Sequence, residues 1–118
     1  AAMDIRTLTD DLSVTGQITQ DQLAQIAAQG FRAIICNRPD GEEPGQPSFA
    51  QIEEAARAAG IAARYLPVTG ADLTDDKAAA FAGLLNTLPG PVLAYCRSGM
   101  RSATLSSLAQ ANQDHPAA

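Results

Sequence analysis

Straight after the apolar run Pro91-Val92-Leu93-Ala94-Tyr95 comes Cys96-Arg97-Ser98-Gly99-Met100-Arg101-Ser102. A thiol ends an expected strand, a short Gly-containing loop follows, and Arg101 stands at the opening of a helix expected over Ser102–Ala111. A loop running into a helix points backbone N–H groups at whatever sits in its mouth, and the macrodipole adds positive potential there. A cysteine in that position is held as thiolate, with Arg97 and Arg101 reinforcing the effect. The pattern is a nucleophile facing a small anion pocket.

Cys96 and Arg101 are therefore the candidate catalytic pair. A cation at a helix N-terminus is electrostatically misplaced unless an anion lies beside it, which favours a ligand role for Arg101 over that of a solvated first-turn residue. Arg97, Ser98, Gly99, Met100 and Ser102 complete the candidate anion-binding loop. Arg97 reads equally as a substrate contact or a solvated side chain. Ser98 and Ser102 suit either the thiolate or the helix cap. Gly99 lets the backbone approach the pocket closely.

Other reactive side chains carry weaker signals. Cys36 follows Ala33-Ile34-Ile35 and reads as a packed strand residue, with a resolving partner for Cys96 as the alternative. His115 is the chain's one histidine and lies in a tail expected over 112–118, so a Cys–His dyad or zinc cluster is not expected. The thiol must then be activated by dipoles and arginines. Asp75 and Asp76 sit in an expected first helical turn, where carboxylates are stabilising on their own account. Asp72, in the loop before them, is the better candidate for a general acid. Arg38 and Asp40 share that sheet edge, and an Asp before Gly41 reads first as a turn residue.

The elements that must position these residues alternate strand and helix. Asp4–Thr7 and Leu12–Thr15 are expected as short strands, and Thr19 with Gln22 has capping-box spacing for a helix to about Gln29. Gly30 stops it, and Phe31–Cys36 reads as a buried strand. A turn-rich loop over 37–47 leads to a helix capped by Ser48 and closed at Gly60. Ile61–Val68 holds a strand, Thr69–Leu73 a loop, and Thr74 caps a helix to about Asn86. Parallel strands with crossover helices follow from this order. Ligands then gather at the C-terminal ends of the strands, where the loops after Cys36, Val68 and Tyr95 all fall.

Composition sets the outer bounds. A chain of 118 residues supports one core, expected as a single domain over 1–118 in which Ala1 and Ala2 carry no weight. With 46% hydrophobic residues but only 4% aromatic, the core must be built from Ala, Leu, Ile and Val. A net charge of −5 and a pI near 4.5 argue against general binding to nucleic acid or anionic membrane. No stretch has transmembrane length and the N-terminus shows no targeting pattern, so a cytoplasmic setting is expected. Two cysteines at strand ends, with no disulfide framework, agree with a reducing compartment.

Thr15-Gly16-Gln17, the run Gly30 to Glu42, Tyr65-Leu66-Pro67-Val68 and the Cys96 loop together resemble the bacterial beta-lactamase-hydrolase-like family. The resemblance extends to about Leu108, and its most specific part is Asn37-Arg38-Pro39-Asp40-Gly41-Glu42. It implies an α/β fold of the cysteine-phosphatase kind, with a central, mostly parallel sheet of about four to five strands flanked by helices. Members occur alone or fused to persulfide dioxygenases and have been labelled both phosphatase-like and sulfurtransferase. Cysteine phosphatases carry His-Cys and five residues before the arginine. Here Tyr95 precedes the thiol and only Arg97, Ser98, Gly99 and Met100 separate it from Arg101, which looks like a rhodanese loop.

The expected function is therefore sulfurtransfer. Cys96 would take sulfane sulfur from thiosulfate or glutathione persulfide and pass it, as a persulfide, to a thiol or cyanide acceptor. No cofactor and no metal is expected, and a persulfide dioxygenase is a candidate partner. Two other readings stay open. One is a phosphatase using Cys96 and Arg101 with Asp72 as acid; the other is a non-catalytic module that binds a small oxyanion or a protein partner.

Overall fold

In the computed structural model, which describes residues 3–114 (the side chains of 113 and 114 excepted), the sheet is built from the elements expected. Strands β1 (Arg6–Thr9) and β2 (Leu12–Thr15) form a hairpin. β3 (Ala33–Cys36), β4 (Ala62–Tyr65) and β5 (Val92–Tyr95) complete a sheet of order β1-β2-β5-β3-β4. Only β1 runs antiparallel to its neighbour; β2, β5, β3 and β4 are parallel throughout. The helices are α1 (Leu23–Ala28), α2 (Phe49–Ala58), α3 (Asp75–Thr87) and α4 (Met100–Asp114).

Side-chain alternation explains why short strands suffice. Ile34, Cys36, Leu93 and Tyr95 face one way, into a cluster with Leu23 and Ile26 of α1 and Ile52 and Ala56 of α2. Ala33, Ile35, Val92 and Ala94 face the other, onto Phe81 of α3 and Leu105 of α4. Both faces of β5 and β3 are covered, as the unbroken apolar runs require. The result is a single α/β domain.

Several boundaries differ from those read in the sequence. The first strand is shifted to Arg6–Thr9, and the strands expected at Phe31 and Ile61 begin at Ala33 and Ala62. The Thr19 helix opens with a 3-10 turn (Gln20–Gln22), although Thr19 N–H does donate to Gln22 Oε1 at 3.0 Å. A second such turn, Gly70–Asp72, occupies the expected loop. The Ser48 capping box is present in full, with Gln51 N–H donating to Ser48 Oγ at 3.2 Å. α4 begins at Met100 rather than Ser102 and runs past Ala111, so Asn112, Gln113 and Asp114 belong to a helix and not to the expected tail. His115 and the rest of that tail lie outside the described residues. No helix is long and apolar enough to cross a membrane.

The chain leaves β2, passes across β5 and adds β3 on its far side. In open parallel sheets ligands gather at the C-terminal ends of the strands beside such a crossing. Cys96 follows β5 and stands there, flanked by the ends of β2 and β3.

Candidate active site

The Cys96 side chain is buried, and its Sγ accepts a hydrogen bond from Gly99 N–H at 3.1 Å. Burial pushes the thiol pKa up, but the backbone amides of Ser102, Ser98, Arg101 and Gly99 oppose it and win, leaving it below the ordinary value. The expected thiolate cradle is present. Met100 does not join it: its N–H donates to Ser98 Oγ at 3.3 Å and its side chain is exposed. Ser98 thus caps the helix with its hydroxyl and serves the thiol with its amide. Ser102 also contributes its amide, while its hydroxyl donates to Asn37 Oδ1 at 2.8 Å.

The loop is laced to the end of β2. Gln17 N–H donates to Arg97 O at 3.3 Å, and Cys96 N–H donates to Thr15 O at 3.4 Å. A Cβ on Gly16 would lie 2.9 Å from Arg97 O, so only glycine admits this approach. Gly99 has φ +92°, and a Cβ there would sit 3.3 Å from the Thr15 carbonyl. Gly99→Ala is expected to cost about 1–3 kcal/mol of stability. It should also slow Cys96 alkylation, because the Gly99 amide leaves the sulfur. Urea unfolding and iodoacetamide kinetics measure the two effects.

Arg101 is gripped at one edge. Its Nη1 donates to Glu42 Oε2 at 2.7 Å and to Val68 O at 2.8 Å, and its Nη2 donates to Glu42 Oε1 at 2.8 Å. Of five guanidinium hydrogens, Nε–H and one on Nη2 remain, a fork suited to an anion. Glu42 first, and then the Cys96 sulfur, hold Arg101 firmly charged. Glu42 is itself pushed down to about 2, chiefly by Arg101 and then by Arg38.

Arg38 is only 2% exposed and donates through all three of its guanidinium nitrogens. It donates to Glu42 Oε1 at 2.9 Å, to Gln17 Oε1 at 3.1 Å and to Glu43 Oε1 at 2.7 Å. Buried and bonded to three acceptors, it positions Glu42, and through it Arg101. Arg97 is 71% exposed, with Nε 3.8 Å from Glu43, and stays free to meet an anion from solvent. Arg38, Arg97 and Arg101 face two glutamates, so the network keeps one positive charge to match a thiolate.

This network, absent from the site read in the sequence, predicts an acid response. Glu42 binds its proton less readily folded than unfolded, so its contribution is complete above the ordinary carboxylate value. It is lost as pH falls from 4.5 toward about 2. Unfolding midpoints measured across that window should fall with pH, and Glu42→Gln should flatten the slope.

The remaining candidates have partners of their own. The Asp72 carboxylate faces Lys77 Nζ at 3.7 Å, at the start of α3. Asp40 is the turn residue expected: its Oδ1 accepts from Phe49 N–H at 2.8 Å, and its own N–H donates to the Tyr65 hydroxyl at 2.9 Å. Tyr65 stacks on Phe49 with centroids 4.8 Å apart, bracing the loop that carries Arg38 and Glu42. Cys36 is buried beside Tyr95, with its thiol donating to Arg38 O at 3.3 Å, and burial pushes its pKa up. Cys36 pairs in register with Tyr95 and shares its face of the sheet, whereas the Cys96 sulfur takes the amides opening α4. A disulfide between them would require the backbone to move. The packed-residue reading of Cys36 holds. Among the described residues no cluster of three or more metal-ligating side chains could hold a metal ion.

Comparisons with known proteins bear on the family and the fold. Residues 4–113 match the family described as the phosphatase-like domain of beta-lactamase hydrolase-like protein. A beta-lactamase hydrolase-like protein of Xylella fastidiosa is 39% identical over 108 residues, covering 92% of this chain and 25% of that protein. One from Agrobacterium fabrum is 40% identical over 104 residues, 88% of this chain and 24% of that protein. The chain thus spans about a quarter of the length of these curated relatives. A crystal structure from Neisseria meningitidis, provisionally assigned as a phosphatase, superposes with TM-score 0.86 at 39% identity, covering 93% of this chain and 78% of that one. The catalytic core of a PP-IP phosphatase from S. cerevisiae shares the fold at 11% identity, TM-score 0.68, covering 92% and 66% of the two chains.

Proposed function

We propose, from the premise that this chain belongs to the beta-lactamase hydrolase-like family as its phosphatase-like domain, that it is a cysteine-dependent phosphatase with Cys96 as nucleophile. The observation that carries the proposal is the pairing of an amide-held thiolate with an arginine whose free edge can take an oxyanion. The relatives' phosphatase names favour this over the sulfurtransfer expected from the loop.

In the first step the Cys96 thiolate attacks phosphorus, the S–P bond forms, and the P–O bond to the leaving group breaks. Arg101 and the loop amides stabilise the charge on the equatorial oxygens. The leaving oxygen takes a proton from a general acid, for which Asp72 is the candidate once it turns from Lys77. Water then attacks phosphorus, the S–P bond breaks, and phosphate departs from a regenerated thiolate. Turnover of an aryl phosphate that is lost in Cys96→Ser and weakened in Asp72→Asn supports this reading. Equal turnover by wild type and Cys96→Ser would overturn it.

One observation favours a second reading, sulfane-sulfur transfer. Four residues rather than five separate Cys96 from Arg101, and the ring they form is tight. Thiolate attack on the outer sulfur of thiosulfate breaks the S–S bond, releases sulfite and leaves a Cys96 persulfide. A thiol or cyanide then removes that sulfur. This route needs no general acid, and a persulfide dioxygenase is the partner that would share its chemistry. Either reading fits a reducing, cytoplasmic setting, since both cysteines are free.

A further inference from the structure

Ser102 serves the Cys96 sulfur through its backbone amide, while its hydroxyl is bonded elsewhere. That hydroxyl donates to Asn37 Oδ1 at 2.8 Å, and both residues are fully buried. Asn37 is held on every side. Its N–H donates to Tyr95 O at 2.8 Å and its carbonyl accepts from Val68 N–H at 2.9 Å. Its Nδ2 donates to Leu66 O at 2.9 Å. Through one side chain and one peptide, the end of β3 is tied to the residue before Cys96, to the start of α4 and to the segment Leu66–Val68. Val68 O in turn holds Arg101 Nη1 at 2.8 Å.

A fully buried, fully bonded amide is costly to place, so it persists where its geometry is needed. We propose that Asn37 is the positioning residue of the active site: by anchoring Ser102 Oγ it fixes the first turn of α4, so that backbone amides and not the serine hydroxyl hold the Cys96 thiolate. The inference rests on Cys96 being the reactive thiol but not on which group is transferred. Glu42, Glu43, Arg38, Arg97 and Arg101 are the charged side chains gathered around the loop, and Cys36 and Tyr95 lie on the other face of the sheet. Asn37→Ala removes none of these charges and Ser102→Ala leaves the Asn37–Leu66 bond in place, so a shift common to both variants reports on the amides.

The test is the pH dependence of Cys96 alkylation by iodoacetamide in a Cys36→Ala background, which needs no turnover and so is independent of the phosphatase reading. Asn37→Ala and Ser102→Ala should each raise the midpoint by about one pH unit, or about tenfold slower alkylation below both midpoints. The double variant should do no worse than either single one, because both break the same link. Ser102→Thr keeps the hydroxyl and should stay at the wild-type midpoint. If the hydroxyl were the thiolate's own donor, Ser102→Ala would raise the midpoint while Asn37→Ala, freeing it, would lower it; that result overturns the proposal. A lowered melting temperature with an unmoved midpoint in both variants also overturns it. Should Asn37→Ala fail to fold, Asn37→Ser, which also removes the Oδ1 acceptor, takes its place: a raised midpoint supports the anchor, and an unmoved or lowered one overturns it.

Discussion

Cys96→Ser is expected to lower turnover of an aryl phosphate by about 10⁴- to 10⁶-fold, the scale on which lost nucleophiles are measured. The substitution exchanges a sulfur already stabilised as an anion for a hydroxyl that stays protonated at neutral pH. Its amide donors from Ser98, Gly99, Arg101 and Ser102 remain in place. The variant should therefore keep its fold and still bind inorganic phosphate. Kcat measured beside phosphate affinity separates the two. A variant that loses both would mean that the loop itself had collapsed.

Arg101→Lys is the second large effect, expected to reduce kcat/KM by about 10²- to 10³-fold, as for loss of one preorganised donor to a developing oxyanion. Arg101 does two jobs at once. One edge of its guanidinium is spent on Glu42 and Val68 O, and the other is left for the anion. A lysine offers a single point of charge and cannot serve both. Glu42→Gln should cost less, since the amide still offers an acceptor to the guanidinium and Arg38 remains bonded to Glu43. Near wild-type kinetics for Arg101→Lys would remove Arg101 from the reacting centre.

The juxtaposition of Cys96, its loop amides and Arg101 was legible because the signal is local. A thiol between an apolar strand and a helix start, with arginines in the loop, is one short stretch of chain. Element order was legible for a similar reason, since Gly30, Ser48, Gly60 and Thr74 punctuate the helices where the structure ends or caps them. The Arg38–Glu42–Arg101 relay was not, because Glu42 meets Arg101 across a separation of 59 residues. Glu42 and Glu43 in a turn-rich loop look like solvated acids until the fold sets a buried arginine beside them. Gln17 and Asn37 were hidden in the same way: each is a plain strand-end amide until β2, β5 and β3 stand side by side. Ser102 shows a different failing. It lies inside α4, which begins two residues before the start expected there, and the direction of its hydroxyl depended on a partner at the end of another strand. Met100 was counted with the loop by adjacency, and the capping bond to Ser98 takes its amide out of the cradle.

Cys96 is proposed to carry a covalent phosphoryl group, and trapping that intermediate is the most direct test. The wild-type chain is mixed with an aryl phosphate, quenched rapidly and mapped by peptide mass. The mass of one phosphoryl group is expected on the peptide containing Cys96, present during turnover and absent from Cys96→Ser. Turnover with Cys96 unmodified throughout, or a phosphoryl group on any other residue, would contradict it.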